Sequence, residues 1–210
     1  MASYIKKQII VIHGGNTFDT YKKYISFLQN YKIDFERMLN KGWKDSLRKK
    51  LGRGFEIVLP KMPNPSNAKY IEWRIWFEKL FPFLEKEVVL VGHSLGGIFL
   101  AKYLSENKLP KRILATFLVA SPHDDKNSKH SLADFKLKKD LSGLQNQSKE
   151  LFFYHSRNDD VVPFTAFEKY KKALPSANYK EFKNRGHFAQ NSFPEIVRDI
   201  KRIFEIWKKK

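Results

Sequence analysis

The stretch Val88-Val89-Leu90-Val91-Gly92-His93-Ser94-Leu95-Gly96-Gly97 decides the fold. Four apolar residues run without a polar break and stop at a serine set between glycines, the Gly-X-Ser-X-Gly pattern in which a buried strand turns sharply into a helix. The glycines have a steric task. A turn this tight strains the serine backbone and leaves no room for side chains at Gly92 and Gly96. The pattern therefore predicts a nucleophile elbow, with the Ser94 hydroxyl held out above a sheet.

Five further apolar or β-branched runs accompany Val88 to Val91: Gln8 to Ile12, Phe55 to Leu59, Ile113 to Val119, Glu150 to Tyr154 and Asn178 to Phe182. Stretches with helical periodicity separate them, at Ala68 to Leu84, Leu95 to Asn107, Phe164 to Leu174 and Pro194 to Trp207. Such alternation predicts an α/β fold, a three-layer sandwich with a doubly wound, mainly parallel sheet of about six strands. Pro163 and Pro194 suit helix starts, and Pro82 ends or kinks the helix before it. The stripe Trp73, Trp76, Phe77 and Phe81 is assigned to core packing.

Right-handed crossovers place the first and third strands side by side with the second outside the first. The loop His13-Gly14-Gly15-Asn16 then meets the Ser94 turn, at the crevice where open α/β sheets bind ligands. Residues 1–210 are expected to form one domain. The segment Asn16 to Gly54 is longer than a crossover needs. It reads equally as a small cap carrying Tyr21, Tyr24, Phe27 and Trp43, or as a crossover helix plus a surface helix.

The chain has no cysteine, which excludes disulfides, thiolate chemistry and Cys-ligated zinc. The apolar run Ile9 to Ile12 is too short for a signal peptide and passes straight into His13-Gly14-Gly15, so a cytoplasmic location is expected, without a transmembrane segment. A net charge of +18 raises the question of a nucleic-acid partner. The lysines are spread over nearly every segment, with clusters at Lys41 to Arg53, Lys136 to Lys139 and Lys208 to Lys210, and no nucleic-acid-binding motif accompanies them. The charge is read as a solvated surface, and nucleic acid is not the expected partner.

A serine hydroxyl is a poor nucleophile at neutral pH and needs a base, which in turn needs an orienting acid. Of six histidines, His187 in Asn184-Arg185-Gly186-His187-Phe188 follows the last strand, where a loop can return an imidazole over the sheet edge. His13 and His93 adjoin the glycine loops but point away from the serine in such turns, and are read as structural. His155 shapes the loop after the fifth strand, while His123 and His130 fall in a solvated polar stretch. The acid is sought in Asn158-Asp159-Asp160-Val161-Val162-Pro163: Asp159 is preferred by its spacing from Val161-Val162-Pro163, with Asp160 in reserve and Asp124 or Asp125 as a further alternative. Ser94, Asp159 and His187 keep the chain order serine, acid, histidine. An oxyanion would be held by the amide of Leu95 with that of Gly15 or Asn16. The turn His13-Gly14-Gly15 lacks the spacing of a dinucleotide site.

With these residues in place the chain resembles the α/β-hydrolase superfamily, and within it the compact serine-hydrolase branch related to retinoblastoma-binding protein nine. The narrower resemblance rests on Met62-Pro63-Asn64-Pro65 followed by Trp73, together with Gly92-His93-Ser94-Leu95-Gly96, Asp159-Asp160-Val161-Val162-Pro163 and Gly186-His187-Phe188. It implies Ser94, Asp159 and His187 as the triad. It also implies a carboxylesterase-like enzyme acting on small esters, amides or thioesters through an acyl-serine, without metal or organic cofactor. The long basic segment Asn16 to Gly54 departs from the branch. The alternative is a non-catalytic member of the fold that uses its basic surface to hold nucleic acid or an acidic partner.

Overall fold

The computed structural model describes residues 6–39, 42–126 and 131–207. His130, Lys41 and the tail Lys208 to Lys210 lie outside the described residues. Among the described residues six strands form, β1 (Lys7–Ile12), β2 (Phe55–Val58), β3 (Glu87–His93), β4 (Arg112–Val119), β5 (Ser148–Ser156) and β6 (Asn178–Phe182). They make one sheet in the order β2-β1-β3-β4-β5-β6 with every neighbouring pair parallel. The first and third strands are adjacent, as the connectivity requires. Register pairs Ile12 with Gly92 and His93 with Val119, so the chain leaves β1 and β3 at the same height of the sheet edge.

Among the described residues eight α-helices lie between or after the strands: α1 (Tyr21–Asn30), α2 (Phe35–Leu39), α3 (Trp43–Leu51), α4 (Tyr70–Glu78), α5 (Leu95–Glu106), α6 (Ser142–Gln147), α7 (Thr165–Ala173) and α8 (Pro194–Trp207). Successive strand residues point to opposite faces, and the buried residues divide accordingly. Ile10, Ile12, Val88 and Leu90 pack with α4, α5 and α7 through Trp73, Phe77, Phe99 and Tyr170. Ile9, Val11, Val89 and Val91 pack on the other face with α3 and α8. The central strands are apolar on both faces because helices cover both.

Helix α8 shows how pattern becomes packing: Ile196, Ile200, Ile203 and Phe204 recur at three- and four-residue spacings and all are buried. Each such side chain contributes roughly 1.5–3 kcal/mol by burial. Among them Asp199 is also buried, and the Tyr154 hydroxyl and the Lys180 ammonium both bond its carboxylate.

Several sequence expectations need correction. The stretch Ala68 to Leu84 is not one helix, since α4 ends at Glu78 and a single 3-10 turn follows at Phe81–Phe83. Its buried stripe is Tyr70, Trp73 and Phe77, whereas Trp76 is 48% exposed and lies outside the core. A helix that buries positions 70, 73 and 77 turns position 76 outward. In the segment Asn16 to Gly54, α3 buries Trp43, Leu47 and Leu51 against the sheet, so Trp43 belongs to the core. Helix α1 is capped by Thr20 Oγ1, which accepts from the Lys23 amide at 3.2 Å, and buries no residue. Among the described residues no helix is long and apolar enough to cross a membrane.

Candidate active site

At the end of β3 the Ser94 amide still donates to the Val119 carbonyl at 2.9 Å, one residue beyond the ladder. The backbone then folds abruptly. Ser94 takes φ 55° and ψ −123°, and Leu95 begins α5. A non-glycine residue in this conformation carries strain of about 1–3 kcal/mol, which persists only where the surroundings enforce it. Here they do. A Cβ on Gly92 would lie 2.4 Å from the Gly96 carbonyl oxygen, and one on Gly96 would lie 2.4 Å from that of Ile12. The two glycines let α5 start against β1 and β3 at backbone contact.

The loop after β1 faces this turn. A Cβ on Gly14 would lie 3.0 Å from Ser94 Cβ, and one on Gly15 would meet the Pro65 carbonyl oxygen at 2.6 Å. The Asn16 amide donates to that same carbonyl at 2.8 Å. Of the two amides considered for the oxyanion, that of Asn16 is therefore engaged, which leaves Gly15. Leu95 stands at the first helical position, where an amide has no acceptor within the helix.

The Met62-Pro63-Asn64-Pro65 segment clamps the Gly15 loop. The Met62 amide donates to His13 Nε2 at 2.9 Å, and the Trp73 indole N–H donates to the Pro63 carbonyl at 2.8 Å. An amide donor fixes Nε2 as the acceptor, so His13 carries its proton on Nδ1, 2.6 Å from the Gly14 carbonyl. Burial lowers the pKa of His13 from 6.5, with the nearby Lys44 charge acting in the same direction and the Gly14 carbonyl opposing.

On the far side, both carboxylate oxygens of Asp159 lie within hydrogen-bond reach of His187 Nδ1, at 3.0 and 2.9 Å. The Asp159 side chain has no exposed surface, and its Oδ1 also accepts from the amides of Val161 and Val162, each at 2.9 Å. His155, buried beneath, bonds the Val162 carbonyl through Nε2 at 2.9 Å, and its burial depresses its pKa. Asp160 is exposed.

The histidine loop is bolted down from three directions. The Arg185 amide donates to Ser156 Oγ and that of Gly186 to Asn158 Oδ1, each at 2.9 Å. The His187 carbonyl is 2.9 Å from His93 Nε2, and the Phe188 carbonyl accepts from the Trp43 indole at 3.0 Å. Lys44 Nζ reaches His93 Nδ1 at 3.2 Å, which assigns the His93 proton to Nε2. The residue beside the serine thus holds the backbone of the histidine, and the two imidazole rings lie 5.0 Å apart. The structure forms no hydrogen bond between Ser94 Oγ and His187; such contacts commonly tighten only when substrate binds.

Asp124 does not approach His187; it binds Lys169 Nζ through both oxygens at 2.8 Å. Asp125 pairs with Lys136. His123 is not solvated: it is half-buried, edge-on to Tyr170 and bonded to Asp124. A cleft of about 50 Å³ opens at Ser94, lined by Gly15, Asn16, Thr17, Leu95, Pro122, Ser131, Leu132, Val161 and Val162. Among the described residues no group of three or more acidic, histidine or cysteine side chains is placed to hold a metal ion.

The parallel sheet in this order, with a strained serine at the end of its third strand, defines an α/β-hydrolase fold. The serine hydrolase family model matches residues 36–198, and the chain belongs to that family. It is 26% identical over 170 residues to serine hydrolase RBBP9 of Rattus norvegicus, covering 77% of this chain and 86% of that protein. It is similar to the solved ydeN gene product of B. subtilis, with a TM-score of 0.73 and 20% identity over 95% of this chain and 100% of that one. It is also similar to Est1E from Butyrivibrio proteoclasticus, solved with ferulic acid bound, with a TM-score of 0.62 and 12% identity over 100% of this chain and 92% of that one.

Proposed function

We propose that the protein hydrolyses small carboxylic esters through an acyl-Ser94 intermediate, with Asp159 and His187 as the other members of the triad. The observation that carries the reading is the paired contact of Asp159 with His187 Nδ1. It leaves Nε2 as the basic nitrogen of a ring whose backbone His93 ties to the elbow. His187 Nε2 takes the Ser94 proton as Oγ attacks the carbonyl carbon, and Asp159 steadies the imidazolium. The amides of Leu95 and Gly15 receive the oxyanion, each worth about 3 kcal/mol. Collapse expels the alcohol, which takes the proton from His187. Water activated by the same nitrogen then releases the acid and frees Ser94.

The narrow, largely apolar cleft at Ser94 supports a short acyl group. Short-chain p-nitrophenyl esters and a fluorophosphonate label test the reading together. The wild-type protein is expected to turn over the esters and label at Ser94, while Ser94→Ala loses up to about a millionfold in kcat. Equal labelling of wild type and Ser94→Ala would overturn it.

A further inference from the structure

Seven of the fourteen large hydrophobic residues that the described chain leaves exposed lie between Tyr21 and Leu39. Scattered exposed apolar residues are ordinary, but a concentration of this kind marks a contact surface. Ile33, Phe35, Met38 and Leu39 are each about 70% exposed. They cannot be the outer face of a helix buried on its other side, because α1 buries no residue at all and α2 has only five residues. The segment is nonetheless held to the body of the protein. Phe18 packs against Tyr24 and Phe27, and its carbonyl accepts from Lys69 Nζ at 3.1 Å.

The chain flanking the segment on either side reaches the candidate active site. It leaves from Gly15, Asn16 and Thr17 at the cleft and returns at Trp43, whose indole bonds the carbonyl next to His187. Just before the segment, Asp19 accepts a hydrogen bond from Ser131, another cleft residue. The apolar side chains are interspersed with exposed charges of both signs, Lys22, Lys23 and Lys32 with Asp34 and Glu36, on a chain whose net charge is +18.

From this we infer that the segment Tyr21 to Leu39 docks on an anionic lipid surface, with Ile33, Phe35, Met38 and Leu39 entering the headgroup boundary and Lys22 and Lys32 against the phosphates. The net positive charge of the whole chain selects this occupant. Each lysine near an anionic membrane adds about fivefold to partitioning, and apolar side chains add the part that salt does not screen. A nucleic acid would satisfy the lysines but has no use for exposed aliphatic Ile33, Met38 and Leu39.

Sedimentation with phosphatidylcholine vesicles, with and without phosphatidylglycerol, tests the inference without any substrate. The protein is expected to bind the phosphatidylglycerol vesicles at least tenfold more tightly and to loosen as salt is raised. The triple variant Phe35→Ser, Met38→Ser, Leu39→Ser should lose at least tenfold while keeping its far-UV circular dichroism, and Ser94→Ala should bind as wild type does. Binding that ignores lipid charge, or that survives the triple substitution, overturns the inference. So does absence of vesicle binding, whether accompanied by retention of an RNA oligonucleotide or by a dimer that the triple variant dissolves. A protein that labels at Ser94 but ignores vesicles loses this inference alone, and one that binds vesicles but never labels loses only the ester-hydrolase reading.

Discussion

The loops at the carboxyl end of the sheet and the segment Tyr21 to Leu39 are neighbours built on opposite principles. Around Ser94 the backbone approaches so closely that a methyl group on Gly92 or Gly96 would overlap a carbonyl, and Asp159, His155 and His93 are each held by named partners. Between Tyr21 and Leu39 a helix buries nothing and large apolar side chains face outward. Strain and full hydrogen bonding belong where atoms must be held for chemistry. Exposed apolar surface belongs where the complementary surface comes from outside the chain.

That contrast can be broken at several points. The largest effect is expected from Asp159→Asn, which keeps the shape but loses the charge facing His187. Its kcat on a p-nitrophenyl ester should fall roughly 10⁴-fold, while Asp160→Asn, on an exposed side chain, should stay close to wild type. A comparable loss in both would mean that the aspartates share the role. Next comes Gly96→Ala, whose added methyl would press on the carbonyl of Ile12. Overpacking of this kind costs about 3 kcal/mol, which in a chain of this size lowers the melting temperature by roughly 6–12 °C. A calorimetric scan with an unshifted midpoint would show the elbow to be looser than its contacts indicate.

A smaller effect is expected from acid. Burial lowers the pKa of His13, His123 and His155 below 6.5 in the folded chain. The unfolded chain therefore binds more protons just below that value, and folding stability, complete above it, declines as pH falls from 6.5 toward the folded pKa values. Urea unfolding midpoints at pH 7.5 and 5.5 should show the decline, and hydrogen exchange should quicken at residues 13–16 and 155–162 before it does in α8. Stability flat across that range would mean that these histidines are accessible to protons in the native state. The smallest effect belongs to the other region: Met38→Ser with Leu39→Ser should move the unfolding free energy by less than about 0.5 kcal/mol. A large loss in the same urea titration would make the segment part of the core and erase the contrast.

The legibility of the sequence followed the range of the interactions. Strand β3, the elbow and α5 could be read because an apolar run, a glycine spacing and a helical repeat are local patterns, and the order of β1, β2 and β3 followed from chain connectivity. His187 and Asp159 were legible as types of residue on particular loops. What separated Asp159 from Asp160 was burial, and burial depends on Val161, Val162 and His187 together. Trp76 was misplaced because one aromatic stripe permits two helical phases, and only packing against Phe99 and Phe135 fixes that of Trp73. The bonds from Met62 to His13, from Trp43 to Phe188 and from Arg185 to Ser156 left no mark beyond their residue types. Each joins segments far apart in the chain.

The bonds from His93 to the His187 carbonyl and from Trp43 to the Phe188 carbonyl span 94 and 145 positions of the chain. Contacts of such long separation form late, because chain entropy opposes them until the intervening parts are in place. During synthesis from the amino end, the first four strands can assemble while the histidine loop is still inside the ribosome. The serine turn and the loop of His187 are thus joined only after the residues up to Phe188 have left the ribosome.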